Sequence, residues 1–244
     1  MPEGGGPELV FVRTFLKEER PGIIGISAVD QFARRLELPA PTILEARKVA
    51  DGWVDNFEGQ AIDAARWERF TFEGSGDGKL EVAGGQLRLR GLKGSRSGVR
   101  SKPGFTGESF TVEAAIGKVG ATLPEAEQSR TPLGHAILAV LFDGSERNRL
   151  EWIMTSAGTF EAWAIVDGRG TRLDDGNLGT NIGNPTLGIV RRGDEFTFTV
   201  NGQEALRKTV KTFGRAFQVM LYGYSSSENN WDSVRVVAET ANKP

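Results

Sequence analysis

The acidic side chains that could do chemistry in this sequence lie around one predicted hairpin. Glu151 and Glu161 fall in residues 150–155 and 159–166, two strand-like segments joined by Ser-Ala-Gly. The arms of an antiparallel hairpin bring such side chains close together. Two carboxylates about 5–10 Å apart form the pair that hydrolyses a glycosidic bond. The simpler interpretation is that both are solvated or hydrogen-bonded strand carboxylates.

Aromatic side chains on the same hairpin could bind sugar rings. Trp152 and Trp163 lie on its two arms. A two-residue turn would pair Trp152 with Trp163 and place both indoles on one face, whereas a three-residue loop would pair Glu151 with Trp163. Two exposed indoles would form a stacking platform, with carboxylates or amides binding the sugar hydroxyls. The alternative is that both tryptophans pack in the core.

A second polar and aromatic group precedes the last predicted strand. Tyr222, Tyr224, Asn229 and Asn230 lie in a Ser/Asn-rich stretch that ends at Trp231. We predict a loop here, and its composition suits polar recognition at one end of the domain. The alternative is an ordinary connection in which the tryptophan anchors the core.

The sequence offers few ligands for a metal ion. Residues 167–177 are acidic and glycine-rich and could hold Ca²⁺ through carboxylate and carbonyl oxygens. They lack the D-x-[DN]-x-[DN]-G spacing, which favours a solvated loop. The chain has no Cys and one His, His135, so thiolate and multi-histidine sites are excluded. We therefore predict no cofactor, with Ca²⁺ as the one alternative.

Composition argues against nucleic-acid and membrane partners. The net charge is −2 with 25% charged residues, which indicates a mixed surface. Lys93, Arg96, Arg100 and Lys102 form a short basic stretch that could contact an anionic polysaccharide, although such runs are usually solvated. No segment approaches the ~20 apolar residues of a membrane-spanning helix. The N-terminus also lacks the basic and apolar regions of a signal peptide.

The elements that must position these residues fall into two parts. Residues 27–38 predict a helix with capping-box spacing and a repeating apolar face, and residues 42–50 predict a second. Helices this short are marginal alone in water and need a partner, either the following domain or another subunit. We therefore assign residues 1–52 to an N-terminal arm and residues 53–244 to a separate domain.

From Trp53 onward the apolar pattern alternates with a period near two. Turn signals separate about ten short segments, which predicts a β-sandwich or barrel. The strongest hairpin signal is Asn201-Gly202, between residues 195–200 and 203–208. The candidate site residues therefore lie on strands and the turns between them.

Four motifs in this part resemble the concanavalin A-like lectin/glucanase superfamily, which includes laminin-G-like domains. DNFEG at residues 55–59 with Trp67 is similar to its opening strand, GKLEVAGGQLRLR to the next hairpin, and GDEFTFTVNGQ and NWDSVRV to its late strands. Their order and spacing agree over residues 53–237. The resemblance implies an all-β fold, an antiparallel two-sheet jelly-roll β-sandwich (concanavalin A-like), after a short N-terminal arm with one or two helices.

The resemblance leaves the function open, because this superfamily includes lectins, hydrolases, adhesion modules and bacteriophage proteins. Its β-glucan-cleaving enzymes carry Glu-x-Asp-x-x-Glu on one strand, and this sequence lacks that motif. We therefore expect a non-catalytic module, not an enzyme, that binds a carbohydrate or a surface. Its expected setting is a virus (phage) particle, as a tail or head-surface protein, or the cell exterior.

The expected partner is a glycan or a protein on a surface or particle. The N-terminal arm would attach the domain to that particle or join copies of the chain in a homo-oligomer. The alternative is a glycoside hydrolase or lyase of the same fold with an atypical carboxylate site at Glu151 and Glu161.

Overall fold

The computed structural model describes most of the chain after residue 51. The described ranges are 52–73, 79–90, 96–121, 134–174, 183–211, 213–224 and 227–238, with the backbone of short strands at 27–29, 35–37 and 46–47. The chain divides into two compact units, residues 1–44 and 45–244. Within the described ranges, no helix has the length and hydropathy needed to cross a membrane.

The first unit contains one small antiparallel pair, β1 (Ser27–Val29) with β2 (Arg35–Glu37). The helices predicted for residues 27–38 and 42–50 otherwise lie outside the described residues. Where their backbone is described, at β1, β2 and β3 (Ala46–Arg47), it is extended. The helices and the attachment role of the arm therefore stay predictions.

The second unit is built from two β-sheets, as the alternating pattern predicted. The nine-stranded sheet contains β3, β5 (Trp67–Glu73), β8 (Arg96–Ser101), β9 (Gly104–Thr106), β11 (His135–Phe142), β12 (Arg149–Thr155), β13 (Phe160–Val166), β14 (Arg169–Arg172) and β18 (Ala216–Gly223). The eight-stranded sheet contains β4 (Trp53–Asp55), β6 (Lys79–Val82), β7 (Leu87–Arg90), β10 (Ser109–Ala121), β15 (Thr186–Arg192), β16 (Glu195–Val200), β17 (Gln203–Thr209) and β19 (Ser227–Ala238). All described pairings are antiparallel except β3 with β9.

The two sheets face each other across one apolar core, and strand alternation decides which side chains enter it. In β12, Leu150, Trp152 and Met154 belong to this core. The alternate residue Ile153 belongs to a second apolar cluster on the opposite side of the nine-stranded sheet. We call that side the outer face.

The predicted hairpins form, but one predicted loop is a strand. Asn201 and Gly202 have φ of 53° and 74°, the left-handed pair that a two-residue turn between β16 and β17 requires. Residues 222–231 do not form the single loop predicted from their Ser/Asn content, because β19 begins at Ser227. Its residues Asn229 and Asn230 pair with β10 on one side and β7 on the other, which supplies backbone partners on both sides.

The last two strands that the structure describes, β18 and β19, lie inside the sheets and not at their edges. β18 sits between β11 and β8, and β19 sits between β10 and β7. Both therefore pair with strands from much earlier in the sequence. The position of β18 brings Tyr222 and the residues that follow it beside β11, close to the β12–β13 hairpin.

Candidate functional site

The register of the β12–β13 hairpin decides which side chains share the outer face. Glu151 pairs with Trp163, and Ile153 pairs with Glu161. The hairpin therefore has the three-residue loop and not the two-residue turn, and the loop consists of Ser156, Ala157 and Gly158. Gly158 has φ of 78°, a conformation that glycine adopts without strain. Glu151, Glu161 and Trp163 therefore lie together on the outer face.

Trp152 points the other way, which corrects its assignment as a ligand-binding residue. Its side chain is fully buried between the sheets, and its Nε1 donates to the Thr199 carbonyl oxygen at 2.8 Å. The two-residue turn that would have paired it with Trp163 does not form. The predicted platform of two indoles is therefore reduced to Trp163 alone.

A cleft of about 580 Å³ lies on the outer face above these residues. It is lined by Phe72, Arg96, Glu146, Arg147, Arg149, Glu151, Glu161, Trp163, Ile165, Gly168, Gly170 and Tyr224. Its volume falls in the range of small-molecule and sugar sites. The predicted residues Glu151, Glu161, Trp163 and Tyr224 thus share one concave surface.

Glu151 is the most strongly held carboxylate of the cleft. Its side chain is almost completely buried, and the Arg149 Nε donates to its Oε1 at 2.7 Å. The hydroxyl of Tyr222 donates to the same oxygen, and the hydroxyl of Tyr224 donates to Oε2 at 3.1 Å. A buried carboxylate requires a cation and further donors of this kind. The three contacts fix the direction of the carboxylate.

Glu161 is the more accessible carboxylate. It is partly exposed, its Oε2 accepts a hydrogen bond from Trp163 Nε1 at 3.0 Å, and Arg172 lies 3.9 Å from its Oε1. Because Ile153, its pairing partner, is two residues from Glu151, the two glutamates are diagonal neighbours across the hairpin. Diagonal neighbours in an antiparallel pair are about 7–8 Å apart, which is compatible with the separation of a hydrolytic carboxylate pair.

Tyr222 and Tyr224 are the only tyrosines in the chain, and both belong to this network. Burial raises the pKa of Tyr222 well above its usual value, and the nearby Glu151 carboxylate raises it further. Burial and the same carboxylate also raise the pKa of Tyr224. Both phenols therefore stay neutral donors to Glu151 in the folded protein.

We expect an alkaline titration to report on these two phenols directly. The folded chain should show no tyrosinate absorbance near pH 10, where the phenols of the denatured chain are half ionised. Since the folded pKa values are raised, the unfolded chain releases its protons first, and stability is lost as the pH rises above about 10. Ultraviolet titration with and without denaturant measures this. A phenol that ionises near pH 10 in the folded chain would contradict the network.

His135 lies beside the network at the start of β11. Its ring packs edge-on against Tyr224 at 4.9 Å, and its Nδ1 is buried with no hydrogen-bond partner among the described residues. Burial lowers the pKa of His135, and the Glu161 carboxylate partly opposes this shift. The folded protein therefore favours the neutral imidazole.

The two asparagines predicted as ligand-binding residues serve packing instead. Asn229 is fully buried: its amide nitrogen donates to the His135 carbonyl oxygen at 3.0 Å, and its Oδ1 accepts from Trp231 Nε1 at 2.7 Å. Asn230 lies on the eight-stranded sheet and donates to Gln86 at 3.2 Å. Neither lines the cleft, because β19 is a strand of the other sheet.

The calcium site predicted for residues 167–177 falls partly outside the described residues, which end at Asp174 in this segment. Asp174 accepts a hydrogen bond from the Ala162 backbone at 2.6 Å and one from Arg172 Nε at 2.9 Å. In the ranges that the structure describes, no cluster of three or more acidic or histidine side chains could hold a metal ion. Calcium binding stays a prediction.

The sequence interpretation missed two arginines of the cleft, Arg147 and Arg149. Arg149 lies two residues before Glu151 on the same strand, so strand alternation places both on one face. This two-residue spacing is the sequence signal that could have placed Arg149 beside Glu151. Arg147 comes from the turn before β12, and only the folded chain brings it to the cleft.

The comparisons with known proteins rest on structure alone. No family model and no curated protein matches the sequence. A structure from work on endo-acting O-glycanases of the human gut microbiota that initiate mucin breakdown is 16% identical, with a TM-score of 0.60 over 77% of this chain and 99% of that chain. The endo-β-1,3-glucanase of Pyrococcus furiosus is 16% identical, with a TM-score of 0.53 over 75% and 92%. The domain has the concanavalin A-like jelly-roll fold.

A third jelly roll is SCLam, a non-specific endo-β-1,3(4)-glucanase from family GH16. It is 13% identical, with a TM-score of 0.54 over 79% of this chain and 93% of that chain. These similarities correct the expectation of a non-catalytic module in a virus particle, because the three structures named above come from work on endo-glucanases and O-glycanases. The lectin, adhesion and virion assignments have no support.

Proposed function

We propose that this jelly roll is a glycoside hydrolase whose active site is the cleft on the outer face, with Glu151 and Glu161 as its carboxylate pair. The observation that carries the proposal is their placement. They occupy diagonal positions of one hairpin on one face, and both line the cleft. The structural similarity to glucanases and O-glycanases supports a glycan as the substrate.

The two carboxylates have different surroundings, which suits the two roles that hydrolysis requires. Glu161 is open to solvent on one side, so it can exchange protons with the leaving group and with water. It donates a proton to the glycosidic oxygen as the C–O bond breaks, and it takes a proton back from the attacking water. Glu151 faces the sugar carbon that becomes positive, because Arg149 and the two tyrosine hydroxyls fix its direction.

Trp163 supplies the apolar part of the site. It is partly exposed, lines the cleft, and its indole nitrogen is oriented by Glu161. The C–H face of a sugar packs on such an indole while polar groups bind the hydroxyls. The same residue therefore positions both the sugar ring and the carboxylate beside it.

The test is hydrolysis of a glycan panel by the full chain. The panel contains β-1,3- and mixed-linkage β-glucans, mucin O-glycans and acidic polysaccharides, and the assay measures new reducing ends and the size of the products. We expect hydrolysis of at least one class, with products that carry no unsaturated sugar. The control is the Glu151→Gln/Glu161→Gln double variant prepared in the same way. No release from any glycan, or equal release by the double variant, would overturn the proposal.

A further inference from the structure

One cation in the cleft has no part in the proposed hydrolysis. Arg147 lines the cleft, is exposed, and forms no ion pair with any residue in the described part of the chain. We propose that Arg147 binds a carboxylate or sulfate group of the substrate, so that the cleft selects an anionic glycan. This inference rests on the proposed function, because it assumes that the cleft is the glycan site.

Arg149 and the three glutamates of the cleft already have partners of opposite charge. Arg149 pairs with Glu151 at 2.7 Å. Glu146 lies 3.5 Å from Arg100, and Glu161 lies 3.9 Å from Arg172. These two arginines also pair with Glu68 and Asp174, so the surroundings of the cleft are close to neutral. The inference therefore depends on the particular position of Arg147 and not on a general positive field.

Hydrogen bonds of its side chain and its backbone restrain Arg147. One of its terminal nitrogens donates to the Asp167 carbonyl oxygen at 2.7 Å, and its own carbonyl oxygen accepts from the Gly168 backbone at 2.9 Å. These contacts join the turn before β12 to the turn after β13. A guanidinium has five N–H donors. This anchored one therefore keeps donors for a planar anion such as a carboxylate or sulfate.

A second guanidinium lies in the same cleft. The Arg96 guanidinium carbon is 4.5 Å from the centre of the Tyr224 ring, and both residues line the cleft. Stacking on an aromatic ring orients the plane of an arginine side chain. Arg96 also belongs to the basic stretch that the sequence linked to anionic polysaccharides.

The position of Arg147 predicts an effect on binding more than on bond cleavage. It is four residues from Glu151 in the sequence, so their backbones are at most about 14 Å apart. Its side chain is bonded to the Asp167 carbonyl oxygen and to neither glutamate of the proposed pair, so we assign it to substrate binding and not to the bond that is cleaved. Loss of such a contact raises KM and leaves kcat nearly unchanged.

The experiment measures the affinity of the full-length Glu161→Gln chain for paired polysaccharides by calorimetry. Polygalacturonate is compared with its methyl ester, and dextran sulfate with dextran, so that carboxylate and sulfate are tested separately. We expect at least one anionic member to bind at least about tenfold more tightly than its neutral counterpart. Adding Arg147→Gln should remove most of that difference, and Arg147→Lys should retain part of it.

Arg235→Gln is the matched control, since Arg235 is an exposed arginine on a strand of the other sheet. Equal affinity for the charged and neutral members, or equal losses in the Arg147 and Arg235 variants, would overturn the inference. Selective binding without hydrolysis by the wild-type chain would retain the inference and remove the proposed function. Hydrolysis of neutral glycans without tighter binding of the anionic members would support the proposed function and overturn the inference.

Discussion

The Glu161→Gln chain is expected to hydrolyse its glycan about 10²–10⁴-fold more slowly than the wild type, because it loses the group that transfers the proton. The amide keeps the shape of the side chain and can still accept the hydrogen bond from Trp163. We therefore expect kcat to fall while KM and the thermal midpoint change little. The wild-type pH–rate profile should have a limb that this variant lacks.

Glu204→Gln provides the matched control, since Glu204 is an exposed glutamate on β17 of the other sheet. It should keep full activity. Glu151→Gln is a less specific test, because it also leaves Arg149 in a nearly buried network without its carboxylate and should lower stability as well. A Glu161→Gln chain that retains wild-type kcat would exclude Glu161 as the proton-transfer group.

Trp152→Ala is expected to lower the free energy of unfolding by about 3–5 kcal/mol, the loss typical of a large aromatic removed from a core. Trp152 is fully buried, packs against Phe160 and Phe198, and hydrogen-bonds to Thr199 in the opposite sheet. Its removal leaves a cavity and an unpaired carbonyl between the sheets. Urea unfolding followed by tryptophan fluorescence measures the change.

Trp163→Ala should behave in the opposite way. Trp163 is partly exposed on the cleft, so we expect a small change in stability and a marked loss of glycan affinity. Trp152→Phe, which keeps most of the ring volume, should fall between Trp152→Ala and the wild type in stability. Equal destabilisation by the two alanine substitutions would contradict the register in which the two tryptophans point to opposite faces.

The sandwich could be predicted from the sequence because its signals are local. A period of two and the Asn201-Gly202 turn depend on neighbouring residues only. The register of the β12–β13 hairpin could not be fixed, since Ser-Ala-Gly fits a two- or a three-residue connection. The strand at Asn229 was missed because Ser and Asn are typical of loops, whereas its two pairing strands are distant in the sequence.

The carboxylate site could not be predicted either, because its residues are brought together from different strands. A search for Glu-x-Asp-x-x-Glu examines one strand, but Glu151 and Glu161 are brought together by two strands. The two tyrosines that bond Glu151 are distant in the sequence: Tyr222 lies on β18, 71 residues later, and Tyr224 follows the end of that strand. No pattern within a short window contains that contact. The absence of the single-strand motif was therefore a weak argument against catalysis.

The central positions of β18 and β19 have a consequence for how the protein is made. A ribosome makes β18 and β19 after their neighbours, so each must insert between strands that were synthesised earlier. Until residues 216–238 emerge, β11 and β8 in one sheet, and β10 and β7 in the other, present unpaired edges that can bind other chains. A nascent polypeptide that lacks residues 216–238 is therefore prone to aggregate through these edges, and Glu151 acquires its tyrosine partners only once Tyr222 and Tyr224 have been made.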